Sequence, residues 1–551
     1  MNNTPENDFA IVIPGEETKP VFPDWLGEAP DYSKSKFAEE LETDVVVCGA
    51  GIAGVAASRA AVEAGSEVIL LEKSSRLQAR SGQFAVIGGQ TMARWGMHNI
   101  ISPEEAADVL MRESSYRADQ RILRYFTEHI GEDFDWYLEG APEGIHFQNN
   151  TTDPLPENIK QYILLMQHPR SPHYCLHRET YPCWPLTVQI RPGHGFVLAG
   201  NHALASANGH LKSIFDISAR RLLREGNGPV HGVIAQREDG DLLCIHARKG
   251  VVLATGSYAG DRAMLRYYCP WLCENPVVPC GVGKDKKPLD TGDGHKMGLW
   301  AGAKMENVPH GGMAHNLGAA MGLAPFLLLD ADGNRFMNEN CPGPQMENRL
   351  ARLKNGMAWQ VFDADWPVQI PYMPAGHCAP SCVVDMRDFA AGKVLRDLVP
   401  MDGYASQWWL QSTIDRGQTV YADTLEELFL KMGVPVKTAA ASIARYNALA
   451  QGGADLDFGK PASRMFALQK PPFYASRLER ARLLGTISGL ESDAQAHVLD
   501  HAMRVIPGLY AAGNVQGNRF GDEYPVSMPG LSHSMALTFG RAAGRNAAQG
   551  L

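Results

Sequence analysis

The chain has 551 residues, 45% of them apolar and 20% charged, with a formal net charge of −10. Such a length and composition are typical of a globular protein that buries a sizeable core, in several domains or in one large discontinuous unit. The modest negative charge argues against nucleic acid or an anionic membrane as a main partner, because both select basic patches.

Residues 1–42 are polar and Pro-rich, and we expect an extended surface arm with Trp25 as an isolated anchor. The N-terminus lacks the basic and apolar regions of an export signal, and no run of about 18 apolar residues predicts a transmembrane helix. We therefore predict a cytoplasmic protein with reduced thiols. The cluster His173, Cys175, His177 and Cys183 matches no common zinc spacing, so no metal site is predicted.

From Thr43 the sequence TDVVVCGAGIAGVAASRAAVEAGSEVILLEK predicts a buried strand, a glycine turn, an Ala-rich helix and a second strand. In this turn Gly49 would allow the sharp bend, Gly51 would let the backbone approach a pyrophosphate, and Gly54 would let helix and strand pack closely. Glu72 ends the second strand, where a carboxylate accepts hydrogen bonds from ribose hydroxyls. The combination predicts a dinucleotide site at the start of a helix.

Further glycine turns follow buried segments along the whole chain, namely ARSGQ at 79–83, ATGS at 254–257, TGDG at 291–294 and AAGN at 511–514. Each alone could be an ordinary turn. Together they favour FAD, a long cofactor held by distant segments, over NAD, which needs nothing from the far C-terminus. An NAD-dependent dehydrogenase remains an alternative at this point.

The last strand, at 508–514, leads into DEYPVSMPGLSHSMALTFGR at 522–541. A Tyr-Pro pair and a Pro-Gly turn precede a helix rich in small residues, among them Ala536, Gly540, Ala543 and Gly544. We expect the turn to aim the start of this helix at the cofactor, and the small residues to let the helix approach the sheet.

These pieces resemble the fumarate reductase/succinate dehydrogenase-type FAD flavoproteins, a group that includes 3-ketosteroid dehydrogenases and urocanate-type reductases. The matching segments also include DADGNRFMNEN and the stretch from ADTLEEL to PPFYA, and the resemblance covers nearly everything after Thr43. It implies an α/β fold, with a glutathione-reductase-like FAD-binding Rossmann domain built from both chain ends and an inserted α+β capping domain. The implied units are the arm at 1–42, FAD domain parts at 43–304 and 485–551, and the cap at 305–484.

The resemblance also implies cofactor contacts. Ser81 and Gly82 would sit beside the flavin, Ala219 near the adenine, and Asp293 and Asn514 at the ribityl chain. The final helix, entered at 531–534, would point its N–H groups at the pyrimidine edge, where they stabilise negative charge on the reduced flavin. The full predicted cofactor set is Gly49, Gly51, Ile52, Ala53, Gly54, Glu72, Lys73, Ser81, Gly82, Gln83, Ala219, Thr255, Gly256, Asp293, Gly513, Asn514, Leu531, Ser532 and Ser534.

The sequence departs from the dicarboxylate reductases of that group. Gly343 stands where they carry a catalytic Arg, the segment 484–489 lacks their His, and 526–530 replaces the segment that holds their carboxylate-binding Arg. A dianion needs several cations or strong donors in a dry pocket. Fumarate or succinate is therefore disfavoured, although a fumarate reductase-like activity stays among the alternatives.

The end of the chain looks more like the ketosteroid dehydrogenase pattern, in which a Tyr and a Gly N–H bind a substrate carbonyl. Tyr524 and Gly530 match it, with longer spacing to ALTFG. We therefore expect a catalytic set of Tyr524, Gly530, His310 and His533, the two histidines being candidates for proton transfer that could equally be packed residues. Aromatic residues such as Tyr174, Tyr181 and Trp184 could line an apolar cleft or belong to the core.

The resulting hypothesis is an FAD-dependent oxidoreductase acting on CH–CH groups. It would reduce, or introduce, a C=C bond conjugated to a carbonyl in an apolar cyclic, steroid-like or aryl-acrylate substrate, by hydride transfer at flavin N5. No second nucleotide motif or haem motif is evident, so a separate reductase, reduced flavin or quinone would exchange electrons with it. The alternative is an electron-transfer flavoprotein subunit without its own substrate, which the long cap disfavours.

Overall fold

The computed structural model describes residues 24–98, 100–148, 156–166, 187–284, 286–315, 319–341, 343–373 and 407–550. The strands in these ranges are β1 Glu39–Cys48, β2 Val68–Leu71, β3 Gln83–Ala85, β4 His146–Gln148, β5 Tyr162–Met166, β6 Thr187–Arg191, β7 Leu211–Ile214, β8 Ile217–Arg224, β9 Val230–Arg237, β10 Leu242–Leu253, β11 Gly312–His315, β12 Leu327–Leu329, β13 Ala358–Phe362, β14 Thr419–Ala422, β15 Phe473–Leu478, β16 Arg482–Thr486, β17 His497–Leu499 and β18 Val505–Ala511.

The α-helices in the same ranges are α1 Ile52–Glu63, α2 Gly89–Arg94, α3 Pro103–Glu113, α4 Gln120–Leu138, α5 Gly195–Ser206, α6 Arg262–Tyr268, α7 Asp293–Trp300, α8 Gly343–Leu350, α9 Trp366–Gln369, α10 Gln407–Asp415, α11 Leu425–Met432, α12 Val436–Gln451 and α13 Leu531–Gln549. Short 3-10 turns occupy Pro270–Leu272, Lys354–Gly356, Ile370–Tyr372, Ala462–Arg464 and Gly513–Val515. None of the helices in the described ranges combines the length and apolar character needed to cross a bilayer.

The largest sheet has the order β17-β18-β10-β1-β2-β7, with β9 and β8 extending from β10. Strand β1 pairs in parallel with both β2 and β10, and its residues Val45–Val47 are fully buried, as a strand covered on both faces requires. The strand begins at Glu39, inside the segment assigned to the arm, because β10 is long enough to pair with Glu39–Glu42 as well.

Both chain ends build this sheet. Strand β18 pairs in parallel with β10, and α13 lies directly against α1. A Cβ atom on Gly540 would sit 2.4 Å from Ala53 O, and one on Gly544 would sit 2.1 Å from Ala57 O. The two helices can approach this closely only because these positions are glycines. The small residues therefore do have a packing role, but these two glycines face α1, not the sheet as expected.

The capping region holds the antiparallel sheet β12-β13-β15-β14, with α11 and α12 packed over it. The antiparallel pair β11–β16 forms a separate two-stranded sheet, and its strands lie near the two ends of the proposed cap in sequence. Within the cap, Arg335 donates to the buried carboxylates of Glu339 and Asp455 at 2.8–3.0 Å. The domain limits remain a prediction, and residues 374–406 of the proposed cap lie outside the described ranges.

The described part of the arm is anchored as expected. The Trp25 ring contacts Tyr268 at 5.7 Å and Tyr267 at 6.4 Å between centroids, edge to face, and Leu26 is buried. Residues 1–23 lie outside the described ranges.

Candidate active site

A cavity of about 670 Å³ opens at the carboxyl ends of β1, β2 and β10, beside the first turns of α1 and α13. Its volume is in the usual range for a cofactor or ligand pocket. Most predicted site residues line it, although they come from segments far apart in sequence. Those on its wall are Gly49, Gly51, Ile52, Ala53, Glu72, Lys73, Ser81, Gln83, Ala219, Thr255, Gly256, Asp293, Gly513, Asn514, Tyr524, Gly530, Ser532 and His533.

The glycines of the first turn divide into two kinds. A Cβ on Gly49 would lie 2.3 Å from Ala254 O, and one on Gly54 would lie 1.7 Å from Gly49 O, so these two glycines are required by packing. A Cβ on Gly51 would meet nothing nearer than Gln78 O at 3.8 Å. Its open side faces the cavity, where a ligand's pyrophosphate could approach the start of α1.

The acidic residue after β2 is held in place by the backbone. Glu72 Oε2 accepts a hydrogen bond from Ala50 N at 2.7 Å, and Oε1 accepts one from Ser74 N at 2.8 Å. Each carboxylate oxygen keeps capacity for another donor. Next to it, Lys73 pairs with Asp293 at 2.9 Å. The arrangement presents an oriented carboxylate on the cavity wall and suits binding of ribose hydroxyls.

At the other end of the cavity the chain turns sharply at Ser81, which has φ +58° although it is not glycine. The carbonyls of Ser81 and Arg80 accept hydrogen bonds from His194, at 3.0 Å from its backbone N and 2.9 Å from Nε2. Burial lowers the pKa of His194 to about 3, so this histidine is neutral. Gly82 does not line the cavity. It packs against β6 instead, where a Cβ would lie 2.2 Å from Ile190 O.

The start of α13 is tightly constrained. Gly530 has φ +89°, and a Cβ there would lie 2.6 Å from the backbone of Gln83 and Phe84, so the position demands glycine. The Tyr524 hydroxyl accepts a hydrogen bond from Ser532 N at 3.0 Å and is only 2% exposed. Within the described part of the chain, the Gly530 amide has no acceptor. A tyrosine hydroxyl and a backbone amide therefore both belong to residues of the cavity wall.

The other amides at this helix start are engaged within the protein. Leu531 N donates to Met528 O at 3.2 Å, and His533 N donates to Gly530 O at 3.1 Å. Leu531 and Ser534 do not line the cavity. Their predicted contact with a flavin pyrimidine edge stays a prediction, and the Gly530 amide is the donor best placed for a ligand.

The two candidate histidines lie in different surroundings. His533 lines the cavity, and its Nδ1 donates to Gln83 O at 2.9 Å, which leaves Nε2 as an acceptor; burial lowers its pKa. His310 is placed away from the cavity. Its Nε2 donates to Glu306 O at 2.8 Å, and its Nδ1 accepts from the Tyr258 hydroxyl at 2.7 Å. Burial lowers the pKa of His310 to about 4.

The cavity wall includes the apolar residues Met313, Leu484, Ile487, Pro529 and Ala536. Two cations belong to the described wall, and both are engaged. Lys73 pairs with Asp293, and the Arg80 guanidinium donates to the carbonyls of Val278 and Leu484 at 2.5 and 3.1 Å. This set favours an uncharged, apolar ligand over a dicarboxylate. The aromatic candidates Tyr174, Tyr181 and Trp184, and the four-residue His/Cys cluster, lie outside the described residues.

Sequence reasoning missed three features of this site. Arg80 belongs to the ARSGQ turn at 79–83 but was not itself singled out, although it lines the cavity. Glu113, at the end of α3, accepts a hydrogen bond from Ser527 Oγ at 2.7 Å and so holds the 524–530 turn. Arg519 is fully buried behind Tyr524. The sequence Asn-Arg-Phe-Gly ahead of that tyrosine could have drawn attention to Arg519.

Comparison with known proteins agrees with this geometry. The family described as an FAD binding domain matches residues 44–527. The chain belongs to this FAD binding domain family. An NADH:acrylate oxidoreductase of Vibrio harveyi is 27% identical over 93% of this chain and 51% of its own length, so the chain spans about half of that relative. A vinyl phenol reductase of Lactiplantibacillus plantarum is 26% identical over 92% of this chain and 96% of its own length.

A solved 3-ketosteroid-Δ4-(5α)-dehydrogenase from Rhodococcus jostii RHA1, in complex with 4-androstene-3,17-dione, shares the fold. Its TM-score is 0.68 at 22% identity, covering 95% of this chain and 99% of that one. The predicted superfamily, the α/β fold class, the FAD cofactor and the class of FAD-dependent oxidoreductase are confirmed. The wall fits FAD, because the open turn at Gly51, the fixed carboxylate of Glu72 and the unpartnered, buried Thr255 Oγ1 all face it.

Proposed function

We propose that this chain reduces, or introduces, a C=C bond conjugated to a carbonyl in an apolar cyclic, steroid-like or aryl-acrylate substrate. The observation that carries the proposal is that Tyr524, whose hydroxyl is fixed by Ser532 N, and Gly530 both line this cavity. A phenol and a backbone amide that both bond one carbonyl oxygen would stabilise the negative charge it gains during the reaction. The relatives named as acrylate and vinyl phenol reductases support the reaction class.

The role of the protein is to polarise that carbonyl. Gly530 would donate its N–H, which has no other acceptor among the described residues, and Tyr524 would donate its O–H. Because the Tyr524 oxygen already accepts from Ser532 N, its phenol is a stronger donor than an isolated one. Both groups are buried, so water does not compete for the substrate oxygen.

Bound FAD would exchange a hydride with the carbon β to the carbonyl. The residues proposed to hold it are the turn at 49–54, Glu72, Ser81, Thr255, Asp293 and Asn514. For the α-carbon proton, His533 is the better placed of the two candidate histidines, because it lines the cavity and its Nε2 carries no proton. It would take the α-proton when the C=C bond is introduced, and in the reducing direction it would relay a proton from solvent. His310 is outside that wall and is not carried into the proposal.

We propose that a separate partner exchanges electrons with the cofactor, as a reductase, a reduced flavin or a quinone. The Vibrio harveyi relative supports this, since its name includes NADH and about half of its length has no counterpart in this chain. The competing proposal is an electron-transfer subunit without its own substrate. The cap sheet and the β11–β16 pair favour an enzyme, because such an insertion normally closes over a substrate.

The test is a substrate panel under anaerobic conditions, with a reduced viologen dye as electron donor. The panel contains a steroid enone, an aryl acrylate, 4-vinylphenol and fumarate. We expect turnover with at least one of the first two and little with fumarate. Turnover of fumarate alone would favour the alternative of a dicarboxylate reductase. Oxidation of the reduced protein only by redox proteins would favour the electron-transfer subunit.

A further inference from the structure

A buried arginine lies behind the 524–530 turn and forms no ion pair among the described residues. Arg519 is 0% exposed, and its Nη1 has no hydrogen-bond partner. Its other bonds go to uncharged acceptors: Gln516 O at 3.0 Å, Ile487 O at 3.4 Å and Asn514 Oδ1 at 3.3 Å. Within the described part of the chain, no carboxylate oxygen lies within 4.0 Å of the Arg519 guanidinium, the distance that defines an ion pair.

The charge of Arg519 persists in this environment. Burial lowers its pKa to about 10, against the attraction of Glu306 and Tyr524, so the guanidinium stays protonated at neutral pH. Glu306 does not neutralise it fully, because burial raises the pKa of that carboxyl to about 7. Taking an unpaired cation out of water is costly, and an apolar side chain of the same size would be cheaper. The retained charge therefore calls for a functional explanation.

A chain of contacts connects Arg519 to Tyr524. Asn514 Oδ1 accepts from Arg519 Nη2 and also from Ser532 Oγ, at 3.3 and 3.2 Å. The backbone N of Ser532 in turn donates to the Tyr524 hydroxyl at 3.0 Å. On the other side, the Arg519 guanidinium covers the Phe520 ring at 4.6 Å, and that ring contacts Tyr524 at 5.3 Å.

We propose that Arg519 is a positioning residue for Tyr524, its unpaired buried charge stabilising the negative charge that the Tyr524 oxygen carries when its proton moves to the substrate. The inference rests on the proposed function, and it adds how the tyrosine is made able to act. It also explains why Arg519 sits behind the cavity wall and makes no contact with the ligand space.

In the reducing direction the β-carbon would gain a hydride from reduced FAD, and the C=C electron pair would shift until the carbonyl oxygen becomes an enolate oxygen. The Tyr524 O–H proton moves to that oxygen, and the tyrosine oxygen becomes negative next to Ser532 N–H and Arg519. The enol would then take a proton at its α-carbon, relayed from solvent by His533, and return the O–H proton to Tyr524. The substrate would gain two electrons and two protons in total, and the bound FAD would be left oxidised.

The experiment is a double-mutant cycle with Arg519→Met and Tyr524→Phe, measured as kcat and KM on the enone or aryl acrylate that the panel identifies. A charge that acts only on the developing oxyanion changes kcat and leaves KM unchanged. We expect Arg519→Met to lower kcat about tenfold or more, and to cause at most about a twofold further loss in the Tyr524→Phe background. Arg519→Lys, which keeps the charge, should recover most of the rate.

Three controls separate this role from others. Arg519→Gln is a second neutral variant in case the methionine protein does not fold. Arg541→Met removes a buried guanidinium that is paired with Asp133 at 2.6 Å, and it should leave kcat unchanged. The midpoint potential of the bound FAD, measured by dye equilibration, should be the same in Arg519→Met and the wild type, because the charge acts on the tyrosine.

Several results would overturn the inference. Equal losses from Arg519→Met with and without the Tyr524 hydroxyl would show that the two residues act independently. If Arg519→Met lowers the midpoint potential of FAD enough to account for the slower rate, the charge of Arg519 acts on the cofactor and not on Tyr524. A rise in KM confined to substrates with a carboxylate would make Arg519 a substrate-binding residue. If Tyr524→Phe alone keeps full turnover, the proposed function loses its carbonyl donor, and the inference falls with it.

Discussion

Replacing Tyr524 by phenylalanine separates two roles of one hydroxyl. The change keeps the ring and its contact with Phe520 at 5.3 Å between centroids, and it removes only the oxygen. That oxygen accepts the amide of Ser532 in the first turn of α13 and lines the cavity. We therefore expect one effect on stability and a separate, larger one on turnover.

The two magnitudes can be worked out separately. Without the hydroxyl, the buried Ser532 N–H loses its acceptor, which costs about 1–3 kcal/mol of the free energy of unfolding. Loss of an oxyanion donor lowers kcat by about 10²–10³-fold, or ~2.7–4 kcal/mol. FAD content should not change, because no predicted cofactor contact involves the hydroxyl.

The measurements are the denaturation midpoint, the flavin absorbance per chain, and kcat under the conditions of the substrate panel. Tyr510→Phe is the matched control, since this buried tyrosine of β18 donates to Asn546 O at 3.4 Å and does not line the cavity. It should lose some stability and keep its turnover. A Tyr524→Phe protein with lowered stability but full turnover would reduce the hydroxyl to a helix cap and refute the reasoning.

Three further predictions concern cofactor, turn and cap. In Glu72→Gln the side-chain NH₂ must face one of two backbone donors, Ala50 N or Ser74 N, so one of these hydrogen bonds is lost. The Kd for FAD, measured by FAD fluorescence, should therefore rise about tenfold or more. An unchanged Kd would contradict the role of the carboxylate. Gly530→Ala places a Cβ 2.6 Å from Phe84 N and should lose FAD or folded protein, whereas Gly65→Ala, also at positive φ but with open space around it, should cost only about 1–2 kcal/mol by denaturation. Arg335→Met leaves Asp455 buried with no cation paired to it among the described residues, whereas Glu339 keeps Lys460 at 3.3 Å, and the change should cost about 3–5 kcal/mol at neutral pH. Burial alone would raise the pKa of Asp455, but hydrogen bonds from Arg335 lower it to about 2. The stabilisation from this pair is therefore present above the ordinary pKa of the carboxyl, near 4, and is lost as pH falls toward 2. The difference between Arg335→Met and the wild type should therefore shrink in acid, and a constant difference would contradict the pairing.

Local chemistry made the first glycine turn and the carboxylate after β2 predictable. Gly49 and Gly54 are demanded by contacts within one strand–turn–helix unit, and Glu72 follows the next strand at a fixed interval. Such constraints can be read from a short stretch of sequence because the backbone itself imposes them. The small residues of α13 were predictable for the same reason, since a helix that lies on another helix needs them at helical spacing.

The proposed catalytic part of the site depends on contacts between distant segments. Arg519 was missed because only the tertiary fold places it behind Tyr524, and Arg80 because its partners, Val278 and Leu484, are far away in the chain. His310 looked equivalent to His533 in sequence, yet packing turned it toward Tyr258 and Glu306. Similarly, β1 begins at Glu39, earlier than its apolar run, because β10 offers a partner to the polar residues.

The most direct test of the central claim is a single turnover without oxygen. The flavin of the wild-type protein is reduced, excess donor is removed, and the return of flavin absorbance is followed after mixing with a steroid enone or an aryl acrylate. The account predicts rapid reoxidation by one of these, with one equivalent of saturated product per FAD and a rate that falls about 10²-fold in Tyr524→Phe. A reduced flavin that neither compound reoxidises, while a redox protein does so rapidly, would contradict it.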